Sequence, residues 1–290
     1  MGTREDLIEA ITQRVVAELE ADSEGHCSDC SDCTGCCAAN CSDKVRAMVE
    51  EGAKRVSYNG NGADVPSDLA RYIDHTKLGP DVTPGDIDRL CREAREYSFA
   101  AVCVNPVWVK RASAQLRGTG VRVASVVGFP LGANASDIKA LEARRALRDG
   151  AREVDMVLNI GALKAGDHEL VQRDIAKVVD CCREVGAVCK VILETGLLTD
   201  AEKVTASKLA KAAKADYVKT STGFGHGGAT VFDVALMREA VGPKMGVKAS
   251  GGVKTTAEAR EMIAAGATRI GASAGIAIVG GRAGGDSGKY

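Results

Sequence analysis

The fold is decided by the stretch YVKTSTG at residues 217–223, a short apolar strand that holds one lysine and ends in a glycine turn. A second stretch of the same kind, GVKASGG, lies at residues 246–252. A lysine inside a buried strand is costly unless it is paired or used in chemistry. We therefore expect Lys219 and Lys248 to lie on neighbouring strands of one functional site.

Short apolar runs alternate with helical stretches on both sides of these two strands. Near-continuous Val, Ile and Ala runs suit strands that are buried on both faces, and strict alternation with helices implies a parallel sheet. Eight strand–helix units between residues 67 and 280 predict an α/β fold, a (β/α)8 TIM barrel. A doubly wound open sheet is the alternative, but the chain has no G-x-G-x-x-G or Walker-type loop. The predicted strands lie at residues 70–74, 100–104, 121–127, 153–158, 189–193, 217–220, 246–249 and 269–271.

The bulk composition argues against nucleic acid and membranes as partners. The chain of 290 residues has 38 basic and 39 acidic side chains, so its net charge is −1. No apolar run approaches the length of about 18 residues that a membrane-spanning helix needs. Residues 4–20 scatter charges among apolar side chains, so they do not form a secretory signal. We expect a cytoplasmic location.

Three segments are expected along the chain. Residues 1–65 form a helical and Cys-rich N-terminal extension, residues 66–280 form the barrel, and residues 281–290 form a flexible Gly-rich tail. Within the extension, apolar side chains at helical spacing predict an amphipathic helix at residues 4–20 and a second helix at residues 42–57. An Asn/Gly-rich linker then leads into the barrel.

Functional side chains of a barrel lie at the carboxyl ends of its strands. Adjacent strands are about 5 Å apart, so inward-facing Lys219 and Lys248 are close enough to repel each other. Repulsion and burial both lower a lysine pKa and free the amine to attack a carbonyl. Asp155 lies in the apolar run at residues 153–158, so we expect it to have a cationic partner or a role in proton transfer.

Two further polar features lie at strand ends. Lys190 and Glu194 alternate with Ile192 on the fifth strand, so they are predicted to face the same side and to form a supporting ion pair. His75 ends the first strand, and we place it outside the predicted site because a single histidine is usually structural.

Glycine-rich turns follow the last two strands, SGG at residues 250–252 and GAS at residues 271–273. Barrels often bind phosphate after strands seven and eight, where backbone N–H groups hold the anion. The two turns therefore predict a phosphate site.

Six motifs, in order along the chain, resemble those of the deoxyribose-phosphate aldolase family. The resemblance covers residues 67–280 and implies a class I aldolase on a (β/α)8 barrel that needs no cofactor for catalysis. It implies reversible cleavage of 2-deoxy-D-ribose 5-phosphate to acetaldehyde and D-glyceraldehyde 3-phosphate through a lysine Schiff base. We also expect the chain to form a homo-oligomer, a dimer. The motifs are DHT (74–76), VCVNP (102–106), EVDMV (153–157), KVILET (190–195), VKTSTG (218–223) and VKASGGV (247–253).

The same resemblance assigns roles to residues. It implies that Lys219 forms the imine, that Lys248 lowers the pKa of Lys219, and that Asp155 helps to move protons through water. Phe224 stands where some members carry a cationic residue, so phosphate binding is expected to rest on backbone groups. Tyr290 is similar to a terminal tyrosine that visits the site in some members. The residues expected to bind the phosphate are Gly223, Gly251, Gly252, Gly271 and Ser273.

Six of the 11 cysteines lie close together in the extension. Their spacing, C-x2-C-x2-C-x2-C-C-x3-C, suits soft ligands around structural zinc or an iron–sulfur cluster, with a metal-free thiol-rich linker as the alternative. Such a site is expected to take no part in catalysis, because Schiff-base chemistry needs no Lewis acid. The candidate ligands are Cys27, Cys30, Cys33, Cys36, Cys37 and Cys41.

The helix predicted at residues 4–20 has two interpretations. It packs on the barrel or on a second copy, or it docks the chain to a shell protein of a bacterial microcompartment. In the second case the enzyme is microcompartment cargo, and its activity can be that of another phosphosugar or aldehyde aldolase or lyase.

Two functions of different kinds compete with the Schiff-base aldolase. One is a barrel enzyme that acts on a phosphosugar and forms no imine. The second is a non-catalytic scaffold or metal sensor. Intact Lys219, Lys248 and Asp155 disfavour the scaffold.

Overall fold

Eight parallel strands close into a barrel in the order in which they follow along the chain. The computed structural model describes Arg46, residues 68–225 and residues 227–280. The barrel predicted from the alternating pattern is confirmed, and the open doubly wound sheet is excluded because β1 pairs with β8. The strands are β1 (Ile73–Lys77), β2 (Ala101–Val104), β3 (Arg122–Val127), β4 (Glu153–Val157), β5 (Val188–Ile192), β6 (Tyr217–Lys219), β7 (Gly246–Ser250) and β8 (Arg269–Ala272).

Helices follow the strands and cover the outside of the barrel. Short 3₁₀ turns lie at Ala70–Tyr72, Pro106–Trp108 and Thr195–Leu197. No helix in the described ranges is long and apolar enough to cross a membrane. The α-helices of these ranges are α1 (Pro84–Glu96), α2 (Val109–Leu116), α3 (Ser136–Arg148), α4 (Ile160–Lys164), α5 (His168–Arg183), α6 (Asp200–Ala212), α7 (Val231–Val241), α8 (Thr256–Ala264) and α9 (Gly275–Gly280).

Capping boxes fix the starts of α1, α6 and α8. In each, a threonine before the helix accepts a hydrogen bond from the third helical N–H, and the acidic side chain there accepts from the threonine N–H. The pairs are Thr83 with Asp86, Thr199 with Glu202 and Thr255 with Glu258. The sequence thereby specifies where these strand-to-helix loops end.

The first strand differs from its prediction. It was expected at residues 70–74, but residues 70–72 form a 3₁₀ turn and the strand begins at Ile73. The Asp68 carboxylate accepts from the Ala70 N–H at 3.0 Å, and the Tyr72 N–H donates to the Leu69 carbonyl at 3.0 Å. These two bonds satisfy the backbone in a turn, so the apolar side chains there do not extend the strand.

An aliphatic core lies between the outer faces of the strands and the helices. Outward-facing Val154, Val191 and Val247 pack in this layer. The inside of the barrel is instead largely ionic along β4–β8, with a smaller apolar side along β2 and β3. The buried charged side chains on inward-facing positions are Asp74, Glu153, Asp155, Lys190, Lys219, Lys248 and Arg269.

Arg46 is the described residue of the N-terminal extension, and it contacts the barrel. Its guanidinium donates to the Asp200 carboxylate at the start of α6 and lies 4.4 Å from the centre of the Phe232 ring on α7. The predictions for the 4–20 helix, the cysteine-rich segment, the rest of the 42–57 helix and Tyr290 concern residues outside those described.

Candidate active site

Two buried lysines lie side by side at the centre of the barrel. Lys219 of β6 and Lys248 of β7 are direct partners in the parallel register, so both side chains point to the same face. Lys219 is 2% exposed and Lys248 is fully buried. The two ammonium groups predicted from sequence to face each other are therefore brought together.

Asp155 of β4 connects these lysines. Its Oδ2 lies 2.9 Å from Lys219 Nζ and 2.8 Å from Lys248 Nζ, while its Oδ1 lies 2.7 Å from Lys190 Nζ. Lys190 occupies the register position of β5 directly opposite Asp155. One fully buried carboxylate thus contacts three nitrogen atoms, which agrees with the cationic partner expected for it.

A second set of charges lies deeper in the barrel. Arg269 at the start of β8 donates to Asp74 at 2.7 Å and lies 3.2 Å from Glu153. Asp74 in turn accepts from Lys248, and Glu153 pairs with Lys190 at 2.6 Å. Lys190 and Lys248 of the upper layer are therefore held by charged groups of the lower layer.

The predicted ion pair between Lys190 and Glu194 is wrong. Lys190 pairs with Asp155 and Glu153, and Glu194 accepts hydrogen bonds from the backbone N–H and the hydroxyl of Thr222. The alternation on which the prediction relied ends with β5 at Ile192, and Glu194 has a left-handed backbone with φ 58°. Its side chain therefore leaves the face on which Lys190 lies.

The lysines of the site differ in their pKa. Burial is the largest influence on Lys219 and lowers its pKa, the charge of Lys248 lowers it further, and Asp155 opposes both. Burial also disfavours the charged form of Lys248, but Asp155 and Asp74 outweigh it, so the pKa of Lys248 lies above its usual range. The pKa of Lys190 is raised well above its ordinary value because Asp155, Glu153 and Asp74 outweigh burial. Of these three amines, Lys219 gives up its proton most easily.

Charge counting supports the same assignment. Three buried carboxylates (Asp74, Glu153 and Asp155) face three buried cations (Lys190, Lys248 and Arg269), so the buried network is balanced when Lys219 is neutral. Arg122 also lies 3.3 Å from Glu153, but its side chain is 54% exposed and its charge is screened by solvent. A charge without a partner is strongly disfavoured in a buried setting. Protonation of Lys219 would leave the network with one excess positive charge.

The other side of the barrel interior is apolar. Leu78, Cys103, Ala124 and Val126 form a cluster against which Phe129 packs. Burial raises the pKa of Cys103 to about 11, which keeps its thiol protonated at neutral pH. The site thus has an ionic wall that carries the lysines and an apolar wall that faces it.

The predicted phosphate residues do not share one setting. Gly223 and Gly252 have positive φ values of 86° and 85°, and a Cβ at Gly252 would meet no atom of the described residues within 4 Å. Gly251, with φ 90°, lies close to the backbone of Gly228. The N–H of Ala229, which follows Gly228, donates to the Gly251 carbonyl at 2.9 Å. Gly252 therefore borders open space, whereas Gly251 is needed for close backbone packing.

Gly271 and Ser273 lie at and beyond the end of the last strand. Gly271 is inside β8 and not in a turn after it, because the strand continues to Ala272. A Cβ on Gly271 would lie 2.9 Å from Lys248 Cε and 2.8 Å from Ser250 Cβ, so the absence of a side chain makes room for Lys248. Ser273 is half-buried and precedes α9.

His75 lies outside the site, as expected. Its Nε2 is 2.7 Å from the Glu93 carboxylate on α1, and its ring is 5.1 Å from that of Phe99. Both partners belong to the outer layer, so the imidazole points away from the barrel interior.

Sequence reasoning missed Asp74, Glu153 and Arg269 as parts of the site. One feature of the sequence could have indicated them: like Asp155 and Lys248, all three occupy strand positions that face the inside of the barrel. Their partners are distant in sequence: Arg269 contacts Asp74, 195 positions away, only because β8 lies next to β1 in the closed barrel.

The part of the chain that the structure describes contains no cluster of three or more His, Cys, Asp or Glu side chains placed to hold a metal ion. The six cysteines proposed as ligands, between residues 27 and 41, lie outside that part.

A closed parallel barrel with a buried lysine of lowered pKa beside a carboxylate is suited to an aldolase that forms an imine. The chain belongs to the DeoC/LacD aldolase family, whose domain matches residues 68–283. It is 61% identical over 214 residues to the deoxyribose-phosphate aldolase of Thermococcus kodakarensis, a match that covers 73% of this chain and 96% of that protein. It is 60% identical over 213 residues to the deoxyribose-phosphate aldolase of Listeria innocua, with coverage of 73% and 95%. The tetrameric deoxyribose phosphate aldolase structure from Aeropyrum pernix superposes with a TM-score of 0.70 at 35% identity, over 81% of this chain and 96% of that one.

Proposed function

We propose that the chain catalyses the reversible cleavage of 2-deoxy-D-ribose 5-phosphate to acetaldehyde and D-glyceraldehyde 3-phosphate through an imine on Lys219. The observation that supports the mechanism is the environment of Lys219. Its side chain is buried, its Nζ lies 2.9 Å from Asp155 Oδ2, and its pKa is lowered. A neutral amine is the form that attacks a carbonyl, and this site favours that form. The names of the relatives supply the substrate.

The chemistry begins with the neutral Lys219 amine, which adds to the C1 carbonyl of the open-chain sugar. Loss of water gives an iminium ion whose positive charge draws electrons from the C2–C3 bond. That bond breaks as the C3 hydroxyl loses its proton, which releases D-glyceraldehyde 3-phosphate and leaves an enamine. Protonation at C2 and hydrolysis then release acetaldehyde and restore the amine.

Asp155 and Lys248 serve this sequence without forming covalent bonds. Burial raises the pKa of Asp155, but Lys190, Lys219 and Lys248 outweigh it, so the pKa lies well below its usual range. The carboxylate is therefore a weak base that stays ionised, which suits it to orient Lys219 and to pass protons through water. Lys248 stays protonated and destabilises a second cation on Lys219.

We assign the substrate phosphate to the rim after β6 and β7. Gly223 and Gly252 border the barrel mouth with positive φ, a backbone geometry that can direct N–H groups towards an anion. Gly251, Gly271 and Ser273 remain candidates from the resemblance, and the contact of Gly271 with Lys248 favours a packing role for that glycine. Phe224, which contacts Phe129 at 5.3 Å between ring centres, adds an apolar edge to this rim.

Three finer assignments remain proposals. The chain is proposed to form a homo-oligomer, a dimer, and sedimentation velocity would measure its size. Exposed apolar side chains that an interface can cover include Val107, Leu131 and Leu141. The cysteine-rich segment is proposed to hold a structural metal. The 4–20 helix is proposed to bind a partner surface. The enzyme is then either cytoplasmic or, if that partner is a shell protein, cargo of a microcompartment.

Borohydride trapping tests the nucleophile. Reduction in the presence of acetaldehyde is expected to add a two-carbon group to Lys219, located by peptide mass mapping, and Lys219→Ala is expected to lose both the label and turnover. Lys208→Ala, which removes an exposed lysine on α6, is the matched control and is expected to keep both. Label on another lysine, or wild-type turnover in Lys219→Ala, would reject the assignment.

A further inference from the structure

Glu194 is a buried carboxylate at the barrel mouth that the imine chemistry does not use. It follows β5, is 3% exposed, and is the residue before the 3₁₀ turn Thr195–Leu197. We propose that Glu194 is a positioning residue: it fixes the 222–225 loop relative to Lys219 and thereby determines where the substrate phosphate binds. This inference rests on the proposed function, because the loop contains Gly223.

The side chain of Glu194 organises the loop through Thr222. Its Oε2 accepts from the Thr222 backbone N–H at 3.1 Å and also from the Thr222 hydroxyl. The same hydroxyl accepts from the Phe224 N–H at 3.1 Å. One carboxylate oxygen therefore holds two donors of the loop directly and orients the hydroxyl that holds a third.

The backbone on either side of Glu194 is tied to the catalytic strand. The Leu193 N–H donates to the carbonyl of Lys219 at 2.9 Å, and the Thr195 N–H donates to the carbonyl of Thr220 at 3.0 Å. Between these two bonds Glu194 adopts φ 58° and ψ 62°, a left-handed conformation that residues other than glycine rarely take. Such conformations persist where surrounding bonds over-determine them, and they are frequent at functional sites.

The loop passes closely over the carboxylate. A Cβ at Gly225 would lie 3.2 Å from both Cδ and Oε1 of Glu194, so the backbone there rests against the side chain. These contacts restrict the path of residues 222–225 and place Gly223 and Phe224 at the mouth, shortly after the nucleophile in sequence. Loss of the carboxylate frees this path while the Lys219 side chain keeps its contact with Asp155.

The expected signature is a selective effect on phosphorylated substrate. Glu194→Ala should raise KM for 2-deoxyribose 5-phosphate on the order of tenfold, the cost of hydrogen bonds to a charged acceptor, and change KM for unphosphorylated 2-deoxyribose much less. The rate of borohydride trapping of acetaldehyde at Lys219 should stay close to that of wild type. Glu194→Gln keeps one acceptor oxygen and should recover most of the affinity.

Two further variants separate the side chain from the backbone. Glu194→Gly permits the left-handed conformation but removes the carboxylate, so it should behave like Glu194→Ala. Thr222→Val removes the hydroxyl partner and should show the same selective rise in KM, which keeps the test decisive if a Glu194 variant folds poorly. Asp216→Ala is the matched control, because Asp216 joins the same two strands at their opposite ends by accepting from the Cys189 N–H at 2.8 Å.

The outcomes are distinct. A fall in Tm with an unchanged ratio of the two KM values in Glu194→Ala and Thr222→Val, as expected of Asp216→Ala, would assign Glu194 a structural role only. Wild-type kinetics in Glu194→Gly would show that the carboxylate is dispensable and overturn the inference. Wild-type enzyme that neither cleaves 2-deoxyribose 5-phosphate nor is trapped at Lys219 would instead remove the proposed function, and the inference with it.

Discussion

At the scale of single residues, the chemistry of the site depends on which of three buried lysine side chains is present as the neutral amine. Lys190, Lys219 and Lys248 are all buried and all contact Asp155. Lys190 and Lys248 each have a second carboxylate partner, Glu153 and Asp74 respectively, whereas within the described ranges Lys219 pairs with Asp155 alone. The number of carboxylates around each amine therefore decides which one becomes the nucleophile.

Lys248→Met is expected to shift the pH dependence of activity. The pKa of Lys219 is lowered first by burial and next by the charge of Lys248, so removal of that charge raises it. A larger fraction of Lys219 is then protonated at neutral pH, and the acidic limb of kcat/KM should move to higher pH, by about one unit or more for a charge this close. Lys164→Met, at an exposed lysine of α4, should leave the profile unchanged. An unshifted profile in Lys248→Met would show that the two lysines are not coupled.

The sequence alone was sufficient for some of these residues and not for others. Lys219, Lys248 and Asp155 could be predicted because each is a charged side chain inside an otherwise apolar run, and the structure brings all three together. Arg269 could not be paired with Asp74, because the contact exists only once β8 closes on β1. Glu194 was paired wrongly because alternation was extended past the last residue of β5.

At the scale of elements, the strands of the site contribute inward charges and the loops that follow them contribute the rim. The strand predictions were correct in number and order, and their ends differed from the observed ones by no more than three residues. The largest difference, at β1, arises from a turn closed by Asp68 and Leu69, a local bond pattern that apolar periodicity does not encode. Loop paths were the least predictable feature, since they depend on contacts between loops such as Gly251 with Gly228.

The rim after β7 offers a test of the phosphate assignment. Gly252→Ala places a methyl group where no atom of the described residues lies within 4 Å, at a residue with φ 85°. The added group and the strained backbone should displace the local N–H groups, so KM for 2-deoxyribose 5-phosphate should rise several-fold more than KM for 2-deoxyribose.

Gly186→Ala is the matched control for this measurement. Gly186 has φ 66° and equally open surroundings, but it precedes β5 and so lies at the other end of the barrel. Both variants should lose similar thermal stability, because alanine in the left-handed region costs roughly 1–2 kcal/mol. Equal KM changes for the two substrates in Gly252→Ala would assign Gly252 to backbone geometry and not to phosphate binding.

At the scale of the whole molecule, the chain consists of a complete (β/α)8 barrel and an N-terminal extension of different, Cys-rich composition. The family match spans residues 68–283, and the relatives from Thermococcus and Listeria are covered almost entirely by the barrel region. All catalytic candidates lie within that span. The contact of Arg46 with Asp200 and Phe232 is the described link between the two parts, and exposed ion pairs and cation–π contacts of this kind contribute at most about 1 kcal/mol each.

Deletion of residues 1–60 is therefore expected to leave the chemistry intact. The truncated chain keeps every residue of the ionic network, so kcat for 2-deoxyribose 5-phosphate should stay within about twofold of the full chain, and Tm should fall only by the small amount that exposed contacts contribute. The same deletion tests the cysteine site. Any zinc or iron that elemental analysis finds in the anaerobically purified full-length protein should be absent from the truncated protein, because the proposed ligands lie between Cys27 and Cys41. Arg46→Ala in the full chain separates this contact from the segment: it should lower Tm by no more than the deletion does and should retain the metal. A truncated enzyme that is folded but inactive would show that the extension takes part in catalysis, and metal-free full-length protein would reject the cysteine site while leaving the aldolase unaffected.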